Sequence, residues 1–185
     1  FVDSGAVVIQ TSAATDADGE LLIDGSTDGA VGGTLSITST EGDITQEQTL
    51  AVTGASTFVV GTTEKNIVLN QSNAFSNSVT MKAGTAGDRA FGNITFVDSA
   101  AVKFHSSAGT NGDLYINAAT DGAVGGALNV TAKAGDITQG HALTVTGTTT
   151  LETSADAAAI NLNNTSNKFA SAVTIKTNDS SGDDS

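Results

Sequence analysis

The chain contains no cysteine, no proline and no tryptophan, and only 4% of its 185 residues are aromatic. Without cysteine there can be no disulfide, no thiolate metal site and no cysteine nucleophile; the same absence suits a secreted protein and a cytosolic one equally. Positive charge is scarce as well. Seven Lys and Arg stand against 20 Asp and Glu, a formal net charge of −13, which argues against nucleic acid and anionic lipid as partners. No apolar run approaches the roughly 18 residues of a membrane-spanning helix, and no basic segment followed by an apolar one opens the sequence. What is present is 38% hydrophobic residues, 21 glycines and, by direct count, 28 threonines. That suffices for a core of small and β-branched side chains with threonine on exposed strand positions.

The sequence is written twice. Thr27 to Gly33 returns as Thr120 to Gly126, and Gly42-Asp43-Ile44-Thr45-Gln46 returns as Gly135 to Gln139, both displaced by 93 residues. Between Gly19–Asn70 and Gly112–Asn163, 25 of 52 positions are identical. Phe1 to Ser4 matches Phe96 to Ser99, while Phe75 and Lys82 match Phe169 and Lys176, so small insertions separate the copies. The units are residues 1–95 and 96–185, read as one continuous rod.

Inside each unit, short segments alternate apolar and polar residues: Leu35 to Thr38, Ile67 to Asn70, Val79 to Lys82, Leu114 to Asn117 and Leu128 to Thr131. Such a period of two marks strands with one buried face. Two series recur about every 23 residues: Leu35, Phe58, Val79, Val102, Leu128, Leu151, Val173, and Leu21, Ile44, Ile67, Ile94, Leu114, Ile137, Ile160. The expected fold is all-β: a parallel β-solenoid of about eight turns, each series forming one apolar column, with Gly, Asn, Asp and Ser corners between strands. The rival is two tandem immunoglobulin-like sandwiches, one per unit. No sustained 3.6-residue periodicity supports a helix. Phe1 and Val2 match residues that continue the strand begun at Ile94, and no cap is visible. An excerpt of a longer array is therefore expected, or else a protomer whose ends stack on neighbours.

The runs Leu35 to Thr38, Gly42 to Gln46, Leu50 to Gly54, Ile67 to Asn70 and Phe75 have their second copy at Leu128 to Thr131, Gly135 to Gln139, Leu143 to Gly147, Ile160 to Asn163 and Phe169. This pattern resembles the β-strand repeats of filamentous-haemagglutinin-type bacterial surface proteins. The resemblance covers nearly the whole chain. It implies a right-handed β-helical rod, export to the cell surface or beyond, and an adhesive, matrix or filament role. The implied partners are adjoining repeats or neighbouring copies stacked end to end, with no membrane insertion.

Carboxylates offer the best candidate chemistry. Glu20 and Asp43 each precede a strand of the second series, as do Asp113 and Asp136 in the other unit. On adjacent turns each pair would stack about 5 Å apart. That is the spacing of a retaining glycosidase pair, and a carbohydrate-binding or polysaccharide-degrading β-helix is the alternative function. Yet the pair occurs in both units, as a structural feature would, and the sequence has a single arginine, Arg89. No catalytic, cofactor or metal residue is assigned. Stacked like charges otherwise splay into water or take a cation between them, calcium being the hard cation that prefers oxygen ligands; Asp16-Ala17-Asp18-Gly19 adds a fragment of a calcium loop. Gly29 to Gly33 lacks the Lys-Ser/Thr of a phosphate loop and reads as a corner. His105 and His141 have no second ligand at useful spacing and read as solvated side chains. Asn70, Asn163, Asp24 and Asn117 read as corner hydrogen-bonders forming a partial ladder. Thr38/Thr40 and Thr144/Thr146 fall in no common column, which disfavours ice binding.

Overall fold

Alternating apolar positions become strands, and their partners lie far away in sequence. The computed structural model describes residues 1–10, 20–23, 29–62, 64–83, 92–105, 113–116 and 123–178. Among them the chain runs through β1 (Val2–Asp3), β2 (Val7–Gln10), β3 (Glu20–Leu22), β4 (Ala30–Val31), β5 (Leu35–Ser39), β6 (Ile44–Gln46) and β7 (Ala51–Val52). It continues through β8 (Ser56–Val60), β9 (Ile67–Phe75), β10 (Val79–Ala83), β11 (Ile94–Asp98), β12 (Val102–Phe104) and β13 (Asp113–Ile116). The remaining strands are β14 (Ala123–Val124), β15 (Leu128–Ala132), β16 (Ile137–Gln139), β17 (Thr144–Val145), β18 (Thr149–Asp156), β19 (Lys168–Phe169) and β20 (Val173–Asn178), with no helix among the described residues.

Every strand pairing among the described residues is parallel. Immunoglobulin-like sandwiches are antiparallel, so tandem sandwiches are excluded. The first sheet has the order β1-β5-β8-β10-β13-β12-β16. The second runs β3-β2-β6-β9-β11-β15-β18-β20, with β4 and β7 attached through the end of β9. A third is β14-β17-β19. Parallel neighbours cannot be joined by a tight hairpin. The chain solves this by alternating sheets: β5 lies in the first, β6 in the second, β8 in the first, β9 in the second, and so on to β12. Eight stacked strands at about 4.8 Å each make the second sheet roughly 34 Å tall.

Inward residues of both sheets form one cluster. Ile37, Phe58 and Met81 are register partners in the first sheet, and Val7, Ile44, Ile67, Ile94 and Leu128 follow one another across the second. Phe75, at the end of β9, sits between Phe58 and Phe96, edge-on to the first at 6.2 Å and stacked on the second at 5.7 Å. One aromatic column thus ties the two sheets and the β4–β7 wall together. Around these rings the core is filled mainly by Ile, Val and Leu, with Phe104 and Met81.

The apolar columns differ from the two expected series. Leu35, Ser56, Val79 and Leu114 form one column of the first sheet, whereas Leu128, Thr149 and Val173 lie in the second. Likewise Ile44, Ile67 and Ile94 belong to the second sheet, but Ile137 and its bridge partner Ile160 belong to the first. Equivalent strands of the two copies therefore sit on opposite sheets. The cause is a pair of strands that do not alternate: β12 and β13 are successive neighbours within the first sheet, and their counterparts β2 and β3 within the second. Each copy thereby gains an odd half-step, and the next copy starts on the other sheet. A strict 23-residue period cannot represent that step.

Gly42, at the head of the repeated Gly-Asp-Ile-Thr-Gln motif, has no room for a side chain, because a Cβ would run into the backbone of Gly5 and Ala6 on the neighbouring strand connection. Its counterpart Gly135 is glycine for another reason, a φ of 86° that side chains disfavour.

Candidate functional site

The paired carboxylates do not stack on adjacent strands. β2 stands between β3 and β6, pairing Val8 with Glu20 and Val7 with Ile44. β12 stands in the same way between β13 and β16, pairing Lys103 with both Asp113 and Thr138. Glu20 and Asp43, and Asp113 and Asp136, are each two strands apart and two residues out of register along the backbone, which puts them more than about 9.6 Å apart. The expected 5 Å pairs are therefore corrected, and with them the geometric reasons for a bridging calcium ion and for a retaining glycosidase pair. Among the described residues no group of three or more His, Cys, Asp or Glu could hold a metal ion. A groove of about 510 Å³ is lined by Lys103, Asp113, Asp136 and Thr138 together with Ala101, Val102 and Gly135. His105 and His141 are half-buried, and both interact with neighbours in the fold. Asn70 and Asn163 are exposed. Thr38 lies in the first sheet and Thr144 in the third, so they share no column. Asp16 to Gly19, Asp24, Arg89 and Asn117 lie outside the described residues.

A ladder does exist, carried by other residues. Asp43 Oδ1 accepts the Asn66 backbone N–H at 2.8 Å, Asn66 Oδ1 that of Asn93 at 2.8 Å, and Asn93 Oδ1 that of Ala127 at 2.8 Å. Each of these residues immediately precedes a strand of the second sheet. Each following strand residue donates its N–H back to the next rung's carbonyl, as Ile44 does to Asn66, Ile67 to Asn93 and Ile94 to Ala127. Every rung is thus a two-bond clamp between adjacent strand entries. In the second copy Asp136 Oδ1 accepts the Ala159 N–H at 2.8 Å. The ladder ends at Ala127 and Ala159, which carry no side-chain acceptor.

Between the copies a buried amide pair repeats as well. Gln46 Nε2 donates to Asn73 Oδ1, and Asn73 Nδ2 returns a bond to Gln46 Oε1 at 3.2 Å. Asn73 also accepts from the Leu50 N–H and donates to the Val97 carbonyl. The second copy pairs Gln139 with Asn167 reciprocally, at 2.5 and 3.1 Å, and Asn167 Oδ1 accepts the Leu143 N–H. Sequence reasoning missed both pairs. The signal was Ser-Asn-x-Phe at 72–75 and 166–169, its Asn 27 and 28 residues after the Gln that ends the repeated motif.

The repeats that build these ladders match a known family model. Residues 3–82 and 110–176 both fit the family described as repeats of unknown function, DUF5649. The chain belongs to this family. No curated protein and no solved structure matches it. The two matched segments fall within the two copies, and each of these DUF5649 repeats holds one Asp clamp and one Gln–Asn pair.

One repeated position differs sharply between the copies. Asp3 and Asp98 are equivalent, and each turns its Oδ1 onto the backbone N–H two residues on, Gly5 at 2.7 Å and Ala100 at 2.8 Å. Asp3 is half-buried on β1, the first strand of its sheet. Asp98 is fully buried between Asn73 and Ala132, and its Oδ2 has no hydrogen-bond partner. Burial pushes its carboxyl up to about 6, against the opposing pull of backbone N–H groups at Ala100, Phe75 and Ser99. Ala74, Phe75, Ser76, Ser99 and Ala100 line the shallow groove over it, about 300 Å³.

Proposed function

We propose that the chain is a right-handed parallel β-solenoid of about eight turns, and that it works as a structural rod segment of an exported bacterial surface adhesin or extracellular filament. It is non-catalytic in this reading. One observation carries it: every strand pairing among the described residues is parallel, and the inward residues of successive strands form one continuous apolar cluster along the stack. Strands stacked in one direction with neighbour-to-neighbour contacts are the build of a repeat rod. The repeated polar ladders support the same reading, since each rung fastens one strand entry to the next.

The reading implies an extracellular or cell-surface location, no nucleic-acid partner and no membrane insertion. Electron cryo-microscopy and fibre diffraction test the rod. An axial spacing near 4.8 Å within single elongated particles is the expected result; rounded particles without that spacing would sink it. A glycan array with product analysis tests the activity, since selective binding or turnover of a polysaccharide would move the function to a carbohydrate-acting β-helix.

A further inference from the structure

Asn70 and Asn163 occupy the same place in the two copies. Each follows a leucine, and each is followed two residues later by a hydroxyl, Ser72 in one copy and Thr165 in the other. An inserted residue makes this agreement informative. Leu69 to Phe75 spans seven residues and Leu162 to Phe169 spans eight, so Ser72, which precedes Asn73, corresponds to Ser166, which precedes Asn167. The insertion carries that serine to the third position after the asparagine, and Thr165 keeps a hydroxyl at the second. The fold holds both segments alike. Gln46 Oε1 accepts the Gln71 N–H at 3.3 Å and Gln139 Oε1 accepts the Asn164 N–H at 3.2 Å, so each Gln–Asn pair fixes the middle residue of the triplet. Between Leu69, opposite Phe96, and Asn73, opposite Asp98, β9 carries two residues more than β11, and the surplus bulges out of the ladder. β9 has a strand on either side. The exposure of Asn70 and Ser72 therefore belongs to the bulge and not to an end of the stack. Neither asparagine is the corner hydrogen-bonder expected from the sequence: no hydrogen bond reaches the side chain of Asn70 or Asn163, whereas those of Asn66, Asn73, Asn93 and Asn167 are all engaged.

We propose that Asn70 and Asn163 are acceptors of asparagine-linked sugar. Asn-x-Ser/Thr is the triplet that such transfer uses, on surface segments of exported proteins. The asparagine Nδ2 attacks the anomeric carbon of a sugar carried as a glycosyl diphosphate, nucleotide-linked or lipid-linked, on a transferase of the producing cell. The N–C bond forms, the bond from that carbon to the phosphate oxygen breaks, the diphosphate leaves and one amide proton passes to a base. A chain rich in threonine also meets the triplet by chance, and the structure separates the cases. Asn93-Ile94-Thr95 has its Asn Oδ1 on the Ala127 N–H and Ile94 in the core. Asn129-Val130-Thr131 lies inside β15, with Asn129 between Thr95 and Thr150 of the flanking strands and Val130 buried. A transferase would have to pull either triplet out of the sheet, whereas the bulge presents its own already outside the ladder. Asn164, which overlaps the second acceptor, has its Oδ1 closed onto the Ser166 N–H, and the triplet at Asn178 runs beyond the described residues. The acceptor role rests on the export reading above and goes beyond it by naming the modified side chains.

Peptide mass spectrometry tests this on the full chain recovered from the cells that make it, with the surface and medium kept apart from the cytoplasm. Asn70 and Asn163 should carry sugar at an occupancy at least about tenfold above that of Asn93 and Asn129. One or two sugar units would mark a nucleotide-linked donor, and a single preassembled block a lipid-linked one. Ser72→Ala should strip the sugar from Asn70 and leave that on Asn163, and Ser72→Thr should keep both, with circular dichroism unchanged in either variant. Bare Asn70 and Asn163 on chain from the surface or medium would overturn the acceptor role and leave the export reading standing. A bare chain confined to the cytoplasm would remove both. Sugar retained at Asn70 in Ser72→Ala, or equal occupancy at Asn93 and Asn129, would also overturn it, because neither the triplet nor the bulge would then be what the transferase recognises.

Discussion

A buried carboxylate with one orphan oxygen makes Asp98 the residue at which acid should matter most. Its folded-state pKa of about 6 lies above the ordinary 3.8, so between those values the native state holds more protons than the unfolded chain. Stability from this group is therefore greatest below about pH 4, falls as pH rises through 6, and is flat above, a loss of about 3 kcal/mol. Denaturant titrations from pH 4 to 7 on the natural chain and on Asp98→Asn should show that fall in their difference; a flat difference would refute the assignment. The amide pairs give a second contrast. Asn73→Ala strands the Leu50 N–H and the Gln46 Nε2–H in the core and leaves Gln46 Oε1 with only the Gln71 N–H, at a cost of about 2–4 kcal/mol. Asn167→Ala should cost less, since Asn167 and Gln139 are only half-buried and water can replace the lost bonds. Equal costs at the two sites, measured by urea unfolding, would mean that the first pair is wetter than its burial indicates.

Strand positions were legible in the sequence because alternation reports which side chains face inward. Which wall a strand joins was not, since inward residues of either sheet look alike. Ser56 illustrates the limit. It opens β8 opposite Leu35, but a reading anchored on apolar residues starts that strand at Phe58, two residues late and still on the inward face. The carboxylate pairs failed for the same reason, as nothing in Glu20 or Asp43 signals that β2 intervenes. The Asp/Asn ladder was hidden in a different way. Its rungs, Asp43, Asn66, Asn93 and Ala127, are spaced 23, 27 and 34 residues apart, so no fixed period collects them. That ladder can be extended. Leu128 already donates to the Thr148 carbonyl, which reproduces the clamp geometry one strand further on, and Ala127→Asn should supply the missing acceptor for the Thr148 N–H. A gain of about 0.5–1 kcal/mol in thermal or urea unfolding is expected. Gly42→Ala should do the reverse, forcing the strand connection away from Ala6 at about 2 kcal/mol or more.

Across the whole molecule, strands stacked in one direction make stability a sum of neighbour contacts, and the exposed ends hold least. Native-state hydrogen exchange in dilute solution should then protect β9 and β11 most and β20 least. Uniform protection would show the ends to be sealed. The net charge of −13 acts on the whole stack as self-repulsion. At 0.01 M salt the screening length of about 30 Å spans most of the stack's height, against about 8 Å at 0.15 M. Apolar columns are little affected by such salt, whereas the repulsion is largely removed, so urea unfolding should show the chain gaining stability over that interval. A loss of stability with salt would mean that ion pairs outweigh the repulsion, in which case Lys176, bridged to Glu152 at 3.6 Å, becomes the side chain to substitute next.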